Sequence, residues 1–222
     1  MATNSQTQVS EDQLNARTKA EREIEKYFAH GDIAGDLHYE RRKGQYDSNK
    51  DVVKARVIDR TVLVRSTAST FGHEPHTATG YSKDILKRLD TSKETDKRRY
   101  LQNEDEPILY YAAASAYYKL DLWFKTGRIA PSYKPARWHL LHIARCISLN
   151  GDYTDFSNKK IRDKVRAYVD LLWDDVKCEE LFSEAVKVLD SSDVKLSREI
   201  LRGVSATHEI DKAIDRYTSQ QD

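Results

Sequence analysis

PILYYAAASAYYKLDLWFKTG, residues 107–127, is the stretch on which the fold turns. Proline opens a helix well, because its missing N–H falls where no intrahelical acceptor exists. Glycine after an apolar-periodic run is a common stop. Between Pro107 and Gly127, the positions Leu109, Ala112, Ala113, Ala116, Tyr117, Leu120 and Phe124 recur at helical spacing and predict one buried side. A long helix of this kind in a chain with only 8 Gly and 4 Pro predicts a mainly α fold, a multi-helix array.

Downstream, Pro131 and Pro135 bracket a turn before a helix over 136–149, with Trp138, Leu141, Ala144, Cys146 and Leu149 inward and Gly151 as its stop. Ser157 starts a helical run through Leu172 and Trp173, broken near Asp174 and resumed to Leu189. The last part, 193–217, reads as one or two short helices.

Upstream, 91–106 is the most polar stretch and reads as a mobile surface loop. Ser82 caps a short helix through Leu89, and 73–80 is a turn-rich connector. Residues 52–71 carry valines that favour a strand. The spacing Val57, Thr61, Val64, Ala68, Phe71 fits a helix better, and a helix stopped by Gly72 is the expectation. Glycines flank Leu37–Arg42, a short strand or extended segment. Ser10, with Gln13 at capping-box spacing, predicts a helix over 11–30 with Leu14, Ala20, Ile24, Tyr27 and Phe28 as its stripe and Gly31 as its end.

The 222 residues are enough for one large domain or two small ones. Thirteen Tyr, three Trp and five Phe need burial, which excludes disorder of the whole chain. A net charge of +1 gives no global attraction for nucleic acid, although a local basic patch is compatible with it. Cys146 and Cys178 sit in apolar helical patterns and read as reduced thiols, not as a disulfide frame or a metal site. No apolar run approaches a membrane span and the polar start is no signal peptide, so the expectation is a cytoplasmic protein without membrane contact.

Two segments carry a resemblance. ATNSQTQVSEDQLNA at 2–16, followed by LHYERRKGQY at 37–46, is similar to the AIPR (abortive-infection phage-resistance) family, in which an Asn-x-Gln segment leads into a helix and a Tyr-Glu-Arg-Lys-like box follows. The likeness continues more loosely through 57–71, Pro75–His76–Thr77–Ala78 and Tyr110–Tyr111, as far as Arg137–Trp138–His139–Leu140–Leu141, roughly two thirds of the chain. It implies a bacterial antiviral defence protein. In the family a domain with a Gly-x-Gln-Thr-like signature precedes the Asn-x-Gln segment. The expectation is therefore a C-terminal portion: residues 1–50 as the end of a truncated N-terminal domain, and 51–222 as a helical C-terminal domain. The partner implied is that missing domain or another defence protein, facing apolar surface near Leu14, Ile24 and Leu37.

Asn4, Gln6 and Thr7 can cap the first helix or form one wall of a site shared with a neighbouring domain. Tyr39, Glu40, Arg41, Arg42, Lys43 and Gln45 set cations beside an aromatic and a turn glycine. In an extended strand Arg41 and Lys43 would share a face with Tyr39, and the box could hold a phosphate backbone or stack on a base. Alternatively, ion pairs through Glu40 hold the arginines against the protein itself. His139 and His142 lie one helical turn apart, and His73 and His76 flank a proline, but without a third ligand they read as structural histidines. No catalytic set, metal site or cofactor loop is expected. The function expected is a scaffolding and interaction region of a defence protein, with nucleic-acid contact through the box as the alternative.

Overall fold

The computed structural model describes residues 11–89, 99–102, 105–149 and 161–221, with side chains in the first helix from Arg17 onward and only the backbone at Arg88. Its elements run α1 (Glu11–His30), β1 (His38–Glu40), a 3-10 turn (Lys54–Arg56), β2 (Val57–Asp59), α2 (Arg60–Thr70), α3 (Pro75–Thr79), α4 (Ser82–Leu86), a 3-10 turn (Lys87–Leu89) and α5 (Pro107–Thr126). A 3-10 segment (Pro131–Ala136), α6 (Arg137–Leu149), α7 (Arg162–Trp173), α8 (Asp175–Ser191), α9 (Arg198–Leu201) and α10 (Val204–Thr218) follow. The mainly α class with a short extended segment near the N-terminus is what the structure has. No described helix is long and apolar enough to cross a membrane.

The helix α5 is the axle. Gly127 closes it in the left-handed conformation at φ 75°, and its N–H reaches back to Trp123. Its first half is buried all round rather than along one stripe: Ile108 through Ala116 are all closed to solvent, while Tyr117 is only half-buried. Runs of alanine permit this, because their small side chains let α1, α2, α6 and α7 approach from several sides. One apolar core results, running from Ile24 in α1 to Ile214 in α10. Ile24 and Leu37 are inside it, so neither contributes the bare apolar surface expected near them. Leu14 and the Ser10 cap lie outside the described side chains.

Four local expectations need correction. Residues 57–59 are not helical; β2 pairs in parallel with β1, Tyr39 opposite Ile58, before the chain turns into α2. Asp59 makes the change abrupt, since its carboxylate accepts the Val62 N–H and caps the helix. The 73–80 connector contains a helical turn, α3, opened by Pro75, and Ser82 is the first residue of α4 instead of its cap, the N-cap position falling to Tyr81. The polar stretch ends inside the core: Tyr100 and Leu101 are fully buried. The Tyr110 hydroxyl, 2.5 Å from the Asp105 carboxylate, accepts the Leu101 N–H at 2.7 Å. Burying those polar groups is affordable only because they satisfy one another.

The C-terminal half follows the expected plan. Asp174 separates α7 from α8 and accepts the N–H groups of Val176 and Lys177. The start expected at Ser157 and the stop at Gly151 lie outside the described residues, and α7 begins at Arg162. Ser197 caps α9 in the same way, and α10 lays Ala206, Ile210, Ala213 and Ile214 into the core.

Candidate functional site

The Tyr-Glu-Arg-Arg-Lys box leaves the strand at Glu40 and becomes a chain of turns over 41–48. The alternation expected of an extended box therefore ends with Tyr39, whose ring is buried. Its hydroxyl donates to Glu21 at 2.7 Å. The same carboxylate, almost wholly buried, takes Arg60 Nε at 2.6 Å and Arg60 Nη2 at 3.1 Å. One turn further along α1, Glu25 accepts from Arg41 Nε at 3.1 Å and from the Gln45 amide. Glu40 does not orient the arginines; it accepts the Gly44 N–H at 2.9 Å and closes the turn. Burial and the adjoining Glu21 carboxylate hold the Tyr39 hydroxyl well above its ordinary range, so it stays a donor.

Of the cations in the box, Arg41 is thus tied to α1, while Arg42 and Lys43 are exposed and make no side-chain hydrogen bond or ion pair among the described residues. Asn4, Gln6 and Thr7 lie outside those residues. The acidic partners Glu21 and Glu25 were not singled out in sequence. Their signal is the i, i+4 spacing, which puts both on one face of α1.

A second cluster joins α3, α6 and α10 in two layers. In the outer layer Asp211 accepts from His142 Nε2 at 2.8 Å and lies 3.0 Å from His73 Nε2. In the inner layer, one turn back along α10, Thr207 Oγ1 lies 3.1 Å from His76 Nδ1 and 3.5 Å from His139 Nε2. His73 reaches Asp211 from a left-handed backbone at φ 54°, which costs an L residue about 1 kcal/mol or more. Burial pushes His142 down to about 4 and His139 down to about 3, so both rings are neutral. Burial alone would raise Asp211, but hydrogen bonds from His142 and His73 hold its carboxyl well below the usual range.

His73, His142 and Asp211 place their ligand atoms within 4.8 Å of one another, and they are the described set that could hold a metal ion. The third ligand missing in sequence is Asp211. A tetrahedral ion with bonds of about 2.0–2.1 Å needs donors about 3.3 Å apart. No ion is needed to account for the cluster, because each Asp211 carboxylate oxygen already meets one imidazole. Cys146 beside His142 does not make a nucleophilic pair. Its sulfur is 3.8 Å from both ring nitrogens, which puts it midway between them and off either lone-pair axis.

The family comparison matches residues 1–218 to the model described as AIPR protein, so the likeness extends beyond the two thirds read from the motifs to nearly the whole chain. No curated protein and no solved structure matches the sequence. A match that starts at the Asn-x-Gln segment, takes in the clamped box and runs on through α10 places this chain in the AIPR family.

Proposed function

We propose that this chain acts in abortive-infection phage resistance, as a scaffolding and interaction region. The observation that supports the scaffolding role is the Glu21 carboxylate, which gathers Tyr39 from the box and Arg60 from α2 onto α1. A box whose aromatic and first arginine are bound internally serves first to brace the fold. Phosphate contact at the box, the second reading, draws support from the exposed Arg42 and Lys43 alone.

Phage plating on cells that express the chain tests the defence role. Efficiency of plating should fall for some phages in a panel, with infected cells arrested before they release progeny. Unchanged plating in cells that carry the folded protein contradicts it. Changing Arg42→Ala and Lys43→Ala together should leave that protection intact; its loss would favour the second reading.

A further inference from the structure

A second positive surface, apart from the box, gathers around Tyr81. Tyr81, just before α4, is 52% exposed and has three cations around its ring: Arg202 at 4.6 Å, Lys83 at 5.7 Å and Arg198 at 5.8 Å from the centroid. Arg198 also lines a neighbouring cavity of about 370 Å³, together with Arg65, Lys134, Arg137, Tyr117 and Trp138. Elements distant in sequence meet there: α2, the turn before α4, the 3-10 segment at 131–136, the start of α6, and α9.

Cations outnumber carboxylates on this face. Among the described residues Arg65, Lys83, Lys134, Arg198 and Arg202 form no ion pair, Arg137 pairs with Asp121 at 3.5 Å, and the Asp59 carboxylate acts on Arg65 from a distance. Folding does not explain the gathering, because like charges repel and an ordinary surface intersperses both signs. Arg65 is fixed more firmly than a solvated cation would be. Its guanidinium donates twice to the Ala78 carbonyl and lies 4.5 Å over Trp138, whose indole stacks in turn on Tyr117 at 5.5 Å and 16°. Such pre-positioning lowers the entropy lost when an anion arrives.

We propose that this groove binds single-stranded nucleic acid, with phosphates held by Lys134, Arg198 and Arg202 and a base stacked at Tyr81. A row of cations tracking a backbone beside an exposed aromatic ring is what a single strand needs. A lone phosphate would use one or two of these cations and leave the ring without a role. A duplex keeps its bases out of the ring's reach. Net charge hid this surface, since the chain's +1 sums 37 Lys and Arg against 36 Asp and Glu wherever they lie. The inference stands apart from the phage-resistance reading: binding is measured on purified protein, plating in cells.

The test is fluorescence anisotropy of the full chain with labelled short single strands of RNA and of DNA, across a potassium chloride series. Binding to at least one should weaken with salt by a log–log slope of about −0.7 for each phosphate contact. Lys134→Ala with Arg198→Ala, both exposed positions, should make that slope shallower by about 1.4. Tyr81→Ala should weaken binding about ten-fold at unchanged slope. Arg42→Ala with Lys43→Ala, on the box, should change neither. Circular dichroism melts establish that each variant is folded. Salt-insensitive binding, no binding, or affinity untouched by the Tyr81, Lys134 and Arg198 substitutions would overturn the proposal.

Discussion

The Arg60 guanidinium grips the Glu21 carboxylate through two nitrogens, at 2.6 and 3.1 Å, across 39 positions of sequence. That contact fastens the start of α2 to the middle of α1 and carries Tyr39 of β1 with it. Replacing Glu21 by Gln removes the charge and leaves Arg60 without its counterion. A loss of about 2–3 kcal/mol in unfolding free energy is expected, below the cost of breaking a wholly buried pair because the Arg60 side chain is 36% exposed. Tyr39→Phe, which deletes only the phenol donor, should lose about 1 kcal/mol. Chemical denaturation of the two variants checks both the size and the order.

Two glycines share a left-handed backbone and differ in their surroundings. A Cβ on Gly127, φ 75°, would meet nothing within 4 Å, whereas one on Gly35, φ 92°, would fall 2.1 Å from the Trp173 ring. Gly127→Ala should therefore cost about 1 kcal/mol, the backbone penalty alone. Gly35→Ala should cost about 3 kcal/mol or more, because the indole must shift from its stacked place beside Tyr118. Thermal melts of the pair read the difference.

Punctuation made much of the fold legible. Pro107 and Gly127 bound α5, and Asp174 divides α7 from α8, since each residue acts on the backbone next to it. What escaped depends on partners far away. Val57 and Ile58 suit either state until His38–Glu40 arrives alongside to pair with them, although Asp59 three residues before Val62 was a readable cap. Tyr100 hides in a polar stretch because its burial rests on Glu74, which accepts its hydroxyl at 2.8 Å. Each pair in the histidine cluster, at 73 and 76, 139 and 142, 207 and 211, shows one-turn spacing, but only the packing of α10 on α3 and α6 brings them together.

Acid should weaken the fold through His139. Its folded value of about 3 lies below the ordinary 6.5, so the unfolded chain takes up the proton first. Stability is then level above about pH 6.5 and declines as pH falls toward about 3, by about 1.4 kcal/mol per pH unit for this one group. His142, pushed down to about 4, steepens the decline in the same window. Unfolding free energies between about pH 7 and pH 4.5 should show a shallower slope in His139→Gln than in the parent.

The two thiols should differ in reactivity. Burial pushes Cys178 up to about 12, so it is neither accessible nor ionised, while Cys146 is half-buried. An aromatic disulfide reagent should titrate Cys146 in the native protein and both thiols after denaturation. Native reaction surviving in Cys146→Ser would contradict this.

A double-mutant cycle on Glu21→Gln and Arg60→Gln, followed by chemical denaturation, addresses the clamp beneath the proposed scaffolding role most directly. If α1, the box and α2 are fastened as one unit by this contact, the two substitutions together should cost less than their sum, with a coupling of about 1–3 kcal/mol. Losses that add to within about 0.5 kcal/mol would mean the two residues act independently and the clamp does not exist.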